Sequence, residues 1–199
     1  GLDGGKFNVS DGIRKGRQGG NSGKTDNFSL VGRLEYKGIQ NLEIGFSGYT
    51  GASDQGDTNL EGVGVNIIEG DIRYKWNGLE LTVLFSQINI SNAEKIAVKS
   101  NKLGSKIIGW YAEVAYQAGR LFLPENQNLV LFGRMEGYNT QVSMPAGYQA
   151  DSKNNKQIIT VGLSYYPISE VAFKGDVELW KDKSGSADNK LNLGLAYMW

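Results

Sequence analysis

Two pairs of carboxylates, Glu69 with Asp71 and Asp176 with Glu178, stand two residues apart in segments that alternate like β-strands. Side chains at this spacing lie on the same face of a strand, so either pair could serve as a general acid and base. The chain has no histidine and no cysteine, which disfavours most hydrolytic, thiol and zinc chemistry. The sequence therefore predicts no catalytic residue, no cofactor and no metal site, and a protein that is not an enzyme.

A phosphate-binding loop is also disfavoured. Gly23-Lys24-Thr25 has the ending of a P-loop, but Gln18 stands where the first glycine is required and an alternating segment rather than a helix follows. The 21 basic and 21 acidic side chains balance, so no basic excess indicates nucleic-acid binding. These features favour a flexible, glycine-rich and basic loop over residues 1–27.

Strands must position the remaining charged residues. From Phe28 onward the chain alternates apolar and polar residues in segments of about ten residues, a length typical of membrane β-strands. We predict nine strands within residues 28–199, at 28–37, 42–52, 65–76, 79–90, 107–117, 128–141, 157–166, 171–181 and 190–199. The many glycines and aromatic residues and the three prolines agree with an all-β fold.

The connections alternate in length along the predicted strands. Four are short, among them the Asn77-Gly78 pair, which strongly indicates a hairpin. The four long connections are 53–64, 91–106, 142–156 and 182–189. This alternation is typical of an antiparallel up-and-down transmembrane β-barrel, in which tight turns lie on one side of the membrane and larger loops on the other.

One face of the predicted strands is ionic and the other is apolar. We predict that the ionic face lines a pore, and its candidate residues are Arg33, Glu35, Lys37, Glu69, Asp71, Arg73, Lys75, Glu113, Arg134, Glu136, Lys174, Asp176 and Glu178. With Glu43 and Glu80 included, this face carries six bases and nine acids. That balance predicts weak ion selectivity, with pairs such as Arg134 and Glu113 stabilising the wall.

Aromatic residues recur on the apolar face beside the short turns. They are Tyr36, Trp76, Tyr116, Tyr165, Tyr197 and Trp199, and we interpret them as a membrane-interface girdle. A small soluble barrel would instead pack its apolar face inward, and alternation alone does not exclude that arrangement. The last predicted strand ends on an aromatic residue, as bacterial outer-membrane barrels commonly do.

Six short stretches occur in an order that resembles the C-terminal half of the phosphate-selective porin O and P family. They are Gly12-Ile13-Arg14, Val31-Gly32-Arg33-Leu34-Glu35-Tyr36, Glu69-Gly70-Asp71-Ile72-Arg73-Tyr74, Gly109-Trp110-Tyr111-Ala112-Glu113, Arg134-Met135-Glu136 and Leu191-Asn192-Leu193-Gly194-Leu195. The resemblance implies an outer-membrane porin, a water-filled channel for passive diffusion of small hydrophilic solutes or anions. It also implies contact with the lipid bilayer and lipopolysaccharide of the bacterial cell outer membrane, and it leaves a homotrimer open.

The resemblance further implies that the chain is a C-terminal portion of a larger barrel, of about 16 to 18 strands. An odd count of nine agrees, because single-chain bacterial barrels have even strand numbers. An alternative is a tenth strand within residues 4–14, which would complete a small barrel with a structural, adhesin or partner-binding role through its extracellular loops.

The first segment, 1–27, is predicted to be a lumenal or extracellular loop. Arg14, Lys15 and Arg17 are its candidates for a pore constriction, because basic side chains inside a channel would raise the local concentration of anions. A solvated external loop is the competing interpretation.

Overall fold

The computed structural model describes residues 1–20, 23–98 and 102–198. Within these ranges nine strands form one antiparallel sheet in chain order. The strands are β1 (Ser29–Ile39), β2 (Leu42–Ala52), β3 (Gly64–Trp76), β4 (Leu79–Ser91), β5 (Lys106–Gln117), β6 (Asn128–Ser143), β7 (Asn155–Ile168), β8 (Val171–Asp182) and β9 (Ala187–Tyr197). The predicted all-β class, the strand count and the up-and-down order are confirmed.

Short helical turns occur only between strands or before β1 in these ranges. They are α1 (Glu94–Ile96) and the 3-10 turns Gly4–Lys6, Arg14–Gly16, Thr58–Leu60, Ala118–Leu121 and Ser152–Asn154. None of the helices in the described ranges has the length and apolar character needed to cross a membrane.

Three of the four connections at one end of the sheet are tight turns, 40–41, 77–78 and 169–170, but the predicted short connection 118–127 has ten residues and contains a 3-10 turn. At this end, Asn77 and Gly78 both have positive φ angles, 45° and 83°, as the predicted Asn-Gly hairpin requires. At the other end lie the longer connections 53–63 and 144–154, the connection that contains α1, and the N-terminal residues. The predicted long connection 182–189 is wrong in length: β8 and β9 extend into it and leave only residues 183–186 between them.

The sheet is open. β1 pairs only with β2, and β9 only with β8, in the part of the chain that the structure describes. The alternative of a tenth strand within residues 4–14 is wrong, because this stretch forms two helical turns around an isolated bridge between Asn8 and Gly12. Its apolar residues are too sparse to alternate across a strand, and Phe7 is instead buried against the sheet.

The buried apolar core lies at the end of the sheet that carries the long connections. It consists of Phe7, Leu60, Val63, Val65, Ile90, Ala93, Ile96, Leu103 and Ile107. Elsewhere the sheet buries few side chains, and large apolar residues on its other face stay exposed. The fold is thus a sheet with a small core at one end and two exposed faces over most of its length.

Candidate functional site

The strand register places every predicted pore-lining residue on one face of the sheet, which we call the ionic face. Successive partners such as Arg33 with Ser47, Ser47 with Glu69, and Glu113 with Arg134 lie opposite one another across the strands. The structure brings most of these charged residues together in three ion-paired clusters. Lining of a pore stays a prediction.

The first cluster is centred on Arg33 of β1. Its guanidinium contacts Asp71 of β3 at 2.7 Å and Glu69 of β3 at 3.6 Å, and its Nε lies 2.9 Å from Glu35. Lys37 contacts the other oxygen of Glu35 at 3.1 Å. The cluster therefore joins β1 to β3 across the intervening strand, which is a longer reach than a cross-strand pair requires.

Gly45 of β2 makes this reach possible. It lies between the two partners, and a Cβ atom built on it would overlap both the guanidinium of Arg33 and the carboxylate of Asp71. Ser47 on the same strand accepts a hydrogen bond of 2.9 Å from Arg33 Nη1. Because Gly45 has no side chain and Ser47 has a small one, the Arg33 guanidinium can extend over β2 to Asp71.

We expect the Gly45→Ala variant to have a lower free energy of unfolding, because the added methyl group separates Arg33 from Asp71. Gly48→Ala is the matched control on the same strand, since its added Cβ would have no atom within 4 Å. Urea titration of the whole protein in detergent micelles measures both variants. Equal stabilities for the two would contradict the role assigned to Gly45.

The other two clusters involve Arg73 and Arg134. Arg73 lies 3.5 Å from Glu43 and 3.7 Å from Glu80, and Lys75 lies 3.5 Å from Glu80. In the third cluster, as expected, Arg134 pairs with Glu113, at 3.8 Å, and its Nε donates to Glu136 at 2.7 Å. The Arg134 guanidinium also lies over the ring of Tyr111, 4.0 Å from the centroid.

On β8 and β9 the carboxylates predicted for the ionic face accept hydrogen bonds from a polar side chain and form no ion pairs among the described residues. The side-chain amide of Asn192 donates to Asp176 at 2.8 Å and to Glu178 at 3.1 Å. Lys174 has no ion-pair partner among the described residues. Register also places two further bases and two further acids on this face, beyond those predicted from the sequence: Lys156, Lys190, Asp182 and Asp188. The excess of three acids over bases is unchanged.

The opposite face, which we call the apolar face, is exposed along the whole sheet. Leu34 is 76% exposed, Val161 60% and Leu193 81%. The apolar face is thus uncovered, while the ionic face carries the charge network. An apolar interior with scattered external charges, as in a small soluble barrel, is not what this sheet shows.

Two rows of residues bound the apolar face. At the short-turn end lie five of the six predicted girdle residues, Tyr36, Trp76, Tyr116, Tyr165 and Tyr197, and their place at a membrane interface stays a prediction; Trp199 lies outside the described residues. Near the other end each strand from β2 to β9 carries a polar residue on this face, in register from Thr50 to Lys106 and staggered beyond it: Thr50, Asn66, Asn89, Lys106, Asn139, Gln157, Lys181 and Asn189. The apolar face is therefore a band of limited height.

Residues 1–20, which we call the N-terminal segment, cross the ionic face at the polar-row end. The Gly4 amide donates to Ser53 beyond β2 at 2.7 Å, and the Thr140 hydroxyl of β6 donates to the carbonyl of Val9 at 2.8 Å. Between these anchors the ring of Phe7 is 2% exposed within the buried core. The segment is thus fastened across five strands.

The three predicted constriction residues differ in their surroundings. Lys15 contacts Asp11 at 2.9 Å, and this hydrogen bond lowers the pKa of the Asp11 carboxyl. Arg14 and Arg17 are exposed and border a cavity over the ionic face, and neither has an ion-pair partner among the described residues. The structure thus leaves two of the three as unpaired cations; a role in constriction stays a prediction.

Asp54 joins the stretch before β1 to the connection after β2. The Asn27 side-chain amide donates a hydrogen bond to its carboxylate, and the Gly56 and Gly62 amides donate at 3.3 and 3.4 Å. These bonds, with that from Asn27 the strongest, lower the pKa of the Asp54 carboxyl. No metal-binding cluster of acidic residues occurs within the described ranges.

No protein-family model matches the chain. The chain is similar to an uncharacterized protein of Aquifex aeolicus, with 30% identity over 192 residues. The alignment covers 90% of this chain but 43% of the Aquifex protein. The chain therefore spans less than half the length of that relative.

Proposed function

We propose that the nine strands form part of the wall of a bacterial outer-membrane barrel, and that this barrel is a porin for passive diffusion of small hydrophilic solutes. The observation that carries the proposal is the bounded apolar band opposite an ion-paired face. Outer-membrane barrels have this arrangement, with an apolar band toward lipid and polar side chains toward the water-filled interior.

The band has the dimensions and borders that a bilayer requires. On β3 it runs over residues 68–76, close to the roughly 9–11 residues with which a tilted strand crosses a membrane. Aromatic rings at one border suit the headgroup region, and the polar row at the other suits water. Soluble monomers rarely expose a continuous apolar surface of more than a few hundred Å².

The open edges of the sheet call for further strands. β1 and β9 are exposed along their whole length, and unpaired backbone groups in hydrocarbon would cost several kcal/mol each. A protein as long as the Aquifex relative has room for those strands, since this chain matches 43% of it. We therefore propose a barrel of about 16 to 18 strands, which leaves a lumen wide enough for water.

The charges on the ionic face favour weak selectivity. The three arginines on the strands of this face, Arg33, Arg73 and Arg134, each contact two or more carboxylates, so they stabilise the wall and attract passing anions only weakly. Net charge on this face stays slightly acidic. Arg14 and Arg17, unpaired in the N-terminal segment, are the local exception.

We expect the whole protein to produce discrete conductance steps in planar lipid bilayers, with reversal potentials in a salt gradient that indicate weak ion selectivity. A protein that folds in the bilayer but stays silent would contradict the porin and leave the binding role for the loops. A strong preference for phosphate would contradict the weak selectivity while keeping the channel.

A further inference from the structure

A cavity of about 690 Å³ lies between the N-terminal segment and the ionic face. Its wall is mostly apolar, formed by Leu2, Ile13, Tyr49, Ile67, Ile88 and Ile107. This is unexpected for the ionic side of the sheet, because a wall that only conducts hydrated solutes has no need of an apolar recess. The volume falls in the range of about 300–1,000 Å³ that is typical of sites for small organic ligands.

Two unpaired cations border the same cavity. Arg14 and Arg17 are exposed, and among the described residues no carboxylate lies within ion-pair distance of either guanidinium; Arg17 Nε donates a hydrogen bond of 3.3 Å to the Arg14 carbonyl, which leaves its other donors available. The carboxylate that also borders the cavity, Asp11, is engaged by Lys15 at 2.9 Å. A guanidinium prefers a carboxylate or phosphate partner and presents its donors in a geometry that suits one.

One buried hydroxyl group on the cavity wall is available to orient a ligand. The Tyr49 hydroxyl is buried and has no hydrogen-bond partner in the described structure. The Thr140 hydroxyl is already used, since it donates to Val9 in the N-terminal segment. A buried hydroxyl without a partner costs free energy unless a bound molecule or water satisfies it.

We infer that this cavity binds an organic monocarboxylate with an apolar body, the body resting on the isoleucines and the carboxylate on Arg14 and Arg17. The combination of an apolar wall and unpaired guanidinium groups fits such a molecule better than inorganic phosphate, which has no apolar surface to bury. The inference goes beyond a porin of weak selectivity, because a binding site of this kind exists whether or not the barrel conducts ions.

The test measures binding by isothermal titration calorimetry with the whole protein in detergent micelles. The probes are phenylbutyrate, its neutral counterpart phenylbutanol, and inorganic phosphate. We expect phenylbutyrate to bind tightest and phosphate weakest. Phosphate binding as tightly as phenylbutyrate, or no phenylbutyrate binding, would overturn the inference.

Variants test the two parts of the proposed site separately, the guanidinium groups and the apolar wall. R14Q/R17Q should weaken phenylbutyrate binding by at least about tenfold and leave phenylbutanol unchanged, because charge-assisted hydrogen bonds are lost. Ile88→Ser should weaken both organic probes. The control K153Q/K183Q removes two exposed lysines at the same end of the sheet, outside the N-terminal segment, and should bind like the unmodified protein. Equal binding by R14Q/R17Q and the control would overturn the assignment.

The result of the binding experiment is independent of the porin proposal. Binding is measured without a membrane, so a protein that binds phenylbutyrate but is silent in bilayers would contradict only the porin. A conducting protein that fails to bind it would contradict only the ligand site.

Discussion

We expect the Val161→Lys variant to lose about 2–4 kcal/mol of folding free energy in phospholipid vesicles, the cost of placing a lysine near the bilayer centre if the apolar face meets lipid as proposed. Val161 lies midway along β7, opposite Gly133 and Val177 on the apolar face, and is 60% exposed. In hydrocarbon the ammonium group would lose its hydration. The free energy is obtained from urea titration of the whole protein folded into vesicles.

Thr160→Lys is the matched control for this experiment. It introduces the same residue, lysine, one position away. Thr160 lies on the ionic face, opposite Arg134 and Glu178. We expect its loss to be small, since a lysine there meets water, and the attraction of Glu178 opposes the repulsion from Arg134. If the apolar face met water, Val161→Lys would change stability by no more than about 0.5 kcal/mol, as exposed substitutions usually do. Equal effects of the two variants would therefore contradict the membrane assignment.

The Phe7→Ala variant should release the N-terminal segment from the sheet. Replacing a buried phenylalanine by alanine costs about 3–5 kcal/mol, and Phe7 is 2% exposed in the buried core. The contacts that remain are hydrogen bonds, such as those from Gly4 to Ser53 and from Thr140 to Val9, and the packing of the partly buried Leu2 and Ile13 against the core. Phe7 is the side chain of the segment that is fully buried in this core, so we expect its loss to weaken docking the most.

Trypsin cleavage within the segment measures its release, because Arg14, Lys15 and Arg17 are cleavable once the chain is free. We expect cleavage to be markedly faster in Phe7→Ala than in the unmodified protein. Phe28→Ala is the control, since Phe28 is 88% exposed and belongs to no packed cluster. A rate in Phe7→Ala that matches the control would show that the ring does not hold the segment. A larger single-channel conductance in Phe7→Ala would further support a constriction.

The strands were predictable from sequence because their information is local. Alternation of apolar and polar residues reports which side chains share a face, and the Asn77-Gly78 turn sets the register of the hairpin that contains Glu69 and Asp71. The same local pattern placed the charged residues on one face. It predicted β8 and β9 too short, because Asp182, Asp188 and Asn189 read as loop residues although backbone pairing carries both strands through them.

The docking of the N-terminal segment was not predictable in this way. Phe7 lies in the same buried cluster as Leu60, Ile90 and Leu103, which are far away in the chain and related to it by no periodicity. One signal was present in the sequence: near the long connections Val65, Ile67, Ile88 and Ile90 put apolar side chains on the otherwise ionic face. Such a local break in the pattern indicates that another part of the protein covers that face, but it does not identify the N-terminal segment as that part.

The sequence by itself determined the strands, their order and the separation of charge from apolar surface, because each depends on neighbours along the chain or across one turn. Tertiary structure decided the contacts between distant residues: Arg33 reaching Asp71 over Gly45, and Arg14 and Arg17 brought to an apolar cavity. These contacts depend on side-chain shape and on the paths of connections between strands. Neither side-chain shape nor the path of a connection produces a periodic pattern in the sequence.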